Sequence, residues 1–188
     1  MEWNYRKAAG VLLFIGSTQF ILGMLTAEAL YADYSVSLNY ISDLGVGSTA
    51  LIFNSSVFLL GIMVVAASFF IQRLFDFKLL SMFMFLTGIG AIGVGLFPEN
   101  FGMLHTVPSL FAFLFGSLSA IASFKLQKAP LSYLAIILGF SSLFSLVLFG
   151  SGVYLGLGKG GMERMIAYPT LLWAVGFGGY LIGSSANS

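Results

Sequence analysis

The chain contains no cysteine, a single histidine and four prolines in 188 residues, and only 8% of its residues are charged. The missing cysteine excludes disulfides, thiol nucleophiles and thiolate metal centres, and leaves the redox compartment unread. The shortage of charge excludes more. Soluble domains carry about a quarter charged residues, and a surface made from this chain would hold too few to stay in solution. Eight basic residues against seven acidic ones leave a net charge of +1, which offers no field for DNA or RNA. Nucleic acid is therefore not an expected partner.

What is present is apolar: 59% hydrophobic residues, among them 20 phenylalanines, with a mean hydropathy of +0.99. A helix crosses the hydrocarbon core of a bilayer with roughly 20 such residues. Six stretches reach that length: Ala8–Ala29, Thr49–Gln72, Leu79–Phe97, Thr106–Phe124, Leu131–Leu155 and Met165–Ser184. Their apolar runs are continuous, unlike the short alternating segments of a transmembrane barrel. The expectation is an all-α polytopic bundle, one six-helix transmembrane domain over residues 1–188 of a multi-pass protein of the cell membrane. The first run is longer than the apolar region of a signal peptide and is read as an uncleaved span.

Charge then orients the bundle. Arg6/Lys7, Arg73/Lys78 and Lys125/Lys128 fall before helix 1, between helices 2 and 3, and between helices 4 and 5. Six of the eight basic residues thus share one side, with Glu2 and Asp76 as its acids. By the positive-inside tendency that side is cytoplasmic and both termini lie there. The opposite side holds Glu28, Asp33, Asp43, Glu99, Glu163, Lys159 and Arg164.

No ionisable residue sits mid-membrane, which disfavours proton-coupled transport and voltage sensing. Gln19 and the serines Ser141, Ser142 and Ser145 supply the polarity there, for interhelical hydrogen bonds or for a solute site at mid-depth. Small residues at steps of four, Ala112/Gly116/Ala120, Ala91/Gly95 and Gly179/Gly183, predict packing seams between helices. A shift of 55 residues aligns Gly61 with Gly116 and Ser68 with Ser123, a faint echo of helices 2–3 in helices 4–5.

Polarity gathers in the outer loops. In the first, Ser35, Asn39, Ser42 and Asp43 fall on one helical face beside Val36, Tyr40 and Leu44, predicting a short amphipathic helix in the interface. The run Asn39-Tyr40-Ile41-Ser42-Asp43-Leu44-Gly45, with Phe53-Asn54 opening helix 2 and Gly95-Leu96-Phe97-Pro98-Glu99 before His105, resembles prokaryotic six-span proteins of domain-of-unknown-function family 998. Its Tyr-Ile-Ser-Asp core is also similar to damage-regulated autophagy modulators and to families in GPI-lipid remodelling. The near resemblance implies a six-helix layout and brings no established activity with it; the distant one implies lipid handling, by analogy alone.

Asp43, Glu99 and His105 are the candidate catalytic or metal-ligating residues. With Asp33 or Glu28 they would form an oxygen-rich set suited to Mg or Mn more than to Zn. As an acid–base pair, histidine and aspartate could instead activate Ser42 or Ser35. Neither Gly-x-Ser-x-Gly nor His-Glu-x-x-His occurs. The third outer loop, Gly156 to Arg164, is glycine-rich without P-loop spacing. Lys159 and Arg164, with Asn39, are the candidates for a lipid phosphate or other anion, flanked by Tyr154 and Tyr168 at headgroup depth. The functional expectation is a protein that binds or handles membrane lipid headgroups at an outward-facing polar vestibule. The alternatives are a membrane-embedded hydrolase, with or without a metal, and a small-solute transporter. Cofactors, protein partners and homo-oligomerisation are not legible.

Overall fold

A computed structural model describes residues 4–185; Glu2 lies outside the described residues. Six helices are present and, among the described residues, no strand: α1 (Tyr5–Leu30), α2 (Ala50–Phe75), α3 (Lys78–Leu96), α4 (Met103–Ala122), α5 (Leu131–Gly150) and α6 (Gly158–Ser184). All six are long and apolar enough to cross a membrane.

Local chemistry sets most of the boundaries. The Asn4 side chain accepts from the Lys7 N–H at 3.0 Å and starts α1. Asp76 in the left-handed region closes α2, and its carboxylate accepts from Gln72 at 2.8 Å. Pro98 stops α3 by holding Phe97 in an extended conformation. Helix α5 ends at Gly150, short of Leu155, where Gly152, Leu155 and Gly156 all take positive φ.

Each helix packs on its chain neighbours, and α1 closes on α6, so the six form a ring. Helix α4 also touches α6, which leaves α5 on the outside of that pair. Loops between α1 and α2, α3 and α4, and α5 and α6 meet at the acidic end. At the basic end Arg6 lies over the Phe75 ring, Lys125 lies over Phe77, and Arg6 reaches Ser184 at 3.3 Å.

Close approach depends on glycine, as expected where lipid gives apolar surfaces no reason to associate. A Cβ on Gly61 would stand 2.7 Å from the Gly88 carbonyl, and one on Gly178 would stand 2.8 Å from that of Gly10. These are the α2–α3 and α1–α6 seams. Ala112 meets Gly90, and Gly95 rests on Asn54 and Phe58. Gly179 and Gly183 have nothing within 4 Å, so the α6 seam runs through Gly178 instead. The side-chain direction, one residue away, decides which glycine is used.

Two further expectations are corrected. The loop between α1 and α2 contains no amphipathic α-helix. It forms a single turn closed on the Ser35 carbonyl, then two 3₁₀ turns, Ser42–Gly45 and Gly47–Thr49. Its polar side chains capture the backbone: Asn39 accepts from the Ser35 N–H at 3.0 Å and Asp43 from the Tyr40 N–H at 2.9 Å, competing with helix. Helix α6 begins at Gly158, seven residues before Met165. There the first loop docks on it, with the Gly160 N–H donating to the Ser37 carbonyl at 3.1 Å. A Cβ on Gly160 would collide with the carbonyls of Val36 and Asn39.

Candidate functional site

The ring of helices encloses a cavity bordered by α1, α2, α3, α4 and α6, with no contribution from α5. It holds about 120 Å³ of free space, room for roughly four groups of water or methylene size at ~30 Å³ each. The lining follows helical periodicity: Phe53, Val57, Leu60 and Val64 on α2; Ser109, Ala112, Gly116 and Ser119 on α4. Ile41, Ser42, His105 and Glu163 border the cavity at the acidic end, and Trp173 borders it toward the basic end.

Most hydroxyls along the wall are turned back on their own helices. Thr87 donates to the Phe83 carbonyl at 2.8 Å, Ser109 to His105 at 2.9 Å, Ser119 to Phe115 at 2.7 Å and Thr170 to Ala167 at 2.8 Å. Ser17 differs. Its side chain is fully buried on the cavity wall, and its oxygen has no hydrogen-bond partner.

Above the cavity stands a pair of carboxyls. Asp43 and Glu99 are hydrogen-bonded to each other, Glu99 also contacts Ser42, and Lys159 is close to both. Burial, then the hydrogen bond to Asp43 and its charge, push Glu99 up to about 7. For Asp43, burial works upward but is outweighed by hydrogen bonds from Glu99, Asn39 and the Tyr40 N–H and by Lys159, so it lies below the ordinary carboxylate value. At neutral pH the pair is therefore poised around a single shared proton. Glu163, buried beneath it, accepts a short hydrogen bond from the Ile41 N–H and so ties α6 to this loop.

His105 is buried at the same end, but its Nδ1 lies 2.7 Å from the Phe97 carbonyl, bridging α4 to the end of α3. Asp43 and Glu99 thus come together, and His105 is occupied elsewhere. Among the described residues no group of three or more His, Asp or Glu side chains could hold a metal ion.

The anion candidates are engaged within the chain. Arg164 is 4% exposed. It pairs with Glu28, donates to the Tyr34 hydroxyl, and donates to the Gly160 carbonyl at 2.9 Å and that of Val36 at 3.3 Å. Burial pushes the Tyr34 phenol up to about 12, so it keeps its proton and donates to the Tyr40 carbonyl at 2.9 Å. Arg164 thereby clamps the first loop onto α6. Asn39 donates to Asp43 at 3.0 Å. Lys159 lies 4.0 Å from the centre of the Tyr40 ring, a cation–π contact.

At mid-membrane, Gln19 donates to the Ser56 carbonyl at 2.8 Å, and Ser142 bridges Ser117 and the Ile166 carbonyl, each at 2.7 Å. Both are interhelical ties. The sequence reading did not single out Ser17 or Trp173. A signal for Ser17 exists, since Leu13, Ser17 and Phe20 share one face of α1, but that pattern does not distinguish a cavity wall from a packed seam.

No curated protein and no solved structure matches the chain. A family model described as a protein of unknown function, DUF998, matches residues 14–180, a span that touches all six helices. The chain belongs to the DUF998 family.

Proposed function

We propose that this multi-pass membrane protein handles lipids or lipid-like amphiphiles, taking a hydrocarbon chain into the cavity and keeping the polar head at the acidic end. The cavity supports this reading: a partly open, largely apolar space within the bundle, bordered by ionisable groups at one end only. A segment of about four carbons matches its volume by the measure above, so the cavity would take the part of a chain next to the head. With the basic end taken as cytoplasmic, the head would sit at the outer surface of the cell membrane. The residues act as one transmembrane unit in this reading, and Asn39, Asp43, Glu99 and Lys159 form its vestibule.

A hydrolase built on His105 with Asp43 and Glu99 has less support, because His105 is tied to Phe97. A solute path past Gln19 and Ser142 has less support too, because both side chains bond neighbouring helices.

Filling the cavity tests the reading. A Cβ on Gly116 would meet Thr87 and Thr170 at ordinary distances of 3.6 and 3.7 Å, so Gly116→Leu projects its remaining carbons into the space. Gly176 has nothing within 4 Å, and Gly176→Leu serves as control. In native mass spectrometry after detergent extraction, the wild type and Gly176→Leu are expected to retain an amphiphile that Gly116→Leu has lost. Equal retention by all three would overturn the proposal.

A further inference from the structure

The hydroxyls on the cavity wall differ in where their hydrogens go. Thr87, Ser109, Ser119 and Thr170 donate to carbonyls of their own helices, and Ser42 contacts Glu99. Such back-bonding is how serine and threonine satisfy themselves in a membrane helix, where no water competes. Ser17 breaks the pattern. It borders the cavity and is fully buried, yet its oxygen has no hydrogen-bond partner among the described residues, not even on its own helix. A buried hydroxyl left in this state is unfavourable, and a bound molecule in the cavity would relieve it.

Its depth limits what that molecule presents. Ser17 lies at the middle of α1 (Tyr5–Leu30). Gly10 of α1 faces Gly178 of α6, and the two helices run antiparallel, so Ser17 stands about level with Leu171. The ionisable residues bordering the cavity, His105 and Glu163, are at its acidic end, and Glu163 is roughly two turns of α6 away from Leu171. No charged side chain borders the cavity at the level of Ser17. A charge carried there would be buried at mid-membrane without a counter-charge. A neutral oxygen would not.

We infer that the cavity binds, at Ser17, an uncharged oxygen group that accepts the hydrogen bond of this hydroxyl: an alcohol or carbonyl oxygen on a segment of about four non-hydrogen groups. The inference goes beyond the lipid-handling reading. Two owners present the same chemistry at Ser17: a lipid whose segment enters the cavity, and a free small alcohol or carbonyl compound.

Trp173 borders the cavity and is buried, two residues from Leu171 and so about 3 Å along the axis from the level of Ser17. Trp3→Phe leaves it as the sole tryptophan. The full chain in detergent is titrated with 2-bromoethanol, with 1-bromopropane, which has a methyl group in place of the hydroxyl, and with 2-bromoethanesulfonate, while quenching of Trp173 by bromine is followed. Comparing variants with one probe cancels its partition into the micelle. Ser17→Ala is expected to weaken quenching by bromoethanol about fivefold, the worth of one hydrogen bond, and quenching by bromopropane by less than about twofold. Ser17→Cys, of similar size but a weaker donor, should shift bromoethanol in the same direction and guards against a folding defect in the first variant. Ser109→Ala, whose hydroxyl is committed to the His105 carbonyl, should leave both probes unchanged, and Gly116→Leu should remove quenching by both. The sulfonate is expected not to quench.

Equal quenching by bromoethanol in wild type and both Ser17 variants overturns the inference and leaves the cavity reading standing. So does quenching by the sulfonate as strong as that by the alcohol. Absence of quenching by bromoethanol, or quenching that survives Gly116→Leu, overturns the inference as well. Displacement of bromoethanol by a monoacylglycerol assigns the oxygen to a lipid and supports both readings. Displacement by 1-propanol alone supports the inference with a free small molecule and counts against lipid handling.

Discussion

The Asp43–Glu99 pair makes stability depend on pH in a direction that can be worked out. Glu99 goes from 4.5 to about 7 on folding, so the folded protein holds its proton where the unfolded chain has released it. Such a group stabilises fully below the unfolded value, and that contribution is lost as pH rises through the folded one. The loss runs from about pH 4.5 to 7 and levels off above. Asp43, with its lowered value, loses its contribution only below its ordinary 3.8, outside this window. Lys159 and Ser42 also face the pair.

At 1.36 kcal/mol per unit, the Glu99 shift corresponds to at most about 3 kcal/mol. Because the side chain is half-buried, screening by solvent brings this to roughly 1–2 kcal/mol. Glu99→Gln is neutral at every pH and can still donate to Asp43. Its stability relative to wild type should therefore grow between pH 5 and pH 8 by that amount, or about 3–6 °C in melting temperature for a chain of this size. Thermal unfolding in detergent followed by tryptophan fluorescence reads it directly. A constant difference across the range would refute the shared-proton argument, and a difference that shrinks would reverse its sign.

Three more expectations follow from the packing. Removing Glu28 leaves the Arg164 guanidinium buried without its ionic partner, so Glu28→Ala should cost about 3 kcal/mol; Glu28→Gln with Arg164→Met should recover part of this, read by the same melting assay. At the α1–α6 seam, Gly178→Val drives a side chain against the Gly10 carbonyl and Phe14, whereas Gly179→Val points into open space; the first should melt at least 5 °C lower or fail to fold, and the second should match wild type within about 0.5 kcal/mol. The absence of cysteine makes topology easy to measure: Ala32→Cys should react with a membrane-impermeant maleimide in intact cells, and Lys128→Cys only after the cells are opened.

The helical membrane architecture was legible because it depends on composition over twenty-residue windows, and bilayer thickness sets the length of each run. Pro98 likewise marks the end of α3 through its own backbone chemistry. Boundaries failed where a distant segment intervened. Gly158 to Arg164 reads as a glycine-rich loop by propensity, yet folds as helix because the first loop lies across it and needs glycine at 160 to approach. The first loop reads as an amphipathic helix, yet Asn39 and Asp43 spend their side chains on its backbone.

The same division holds at the candidate site. Asp43, Glu99, His105, Lys159 and Arg164 were identifiable as polar groups at one end of an apolar chain, since charge there has nowhere cheaper to lie. Which of them meet was not, because pairing depends on how loops from different hairpins converge. That convergence joins Asp43 to Glu99, sends His105 to Phe97 and buries Arg164 against Glu28. The sequence by itself determined six apolar helices and the sorting of charge between their ends. The tertiary structure alone decided that the ring encloses a cavity and that Ser17 faces it unpaired, since a helical stripe of small and apolar residues serves equally well for a seam or a wall until the neighbouring helices are in place.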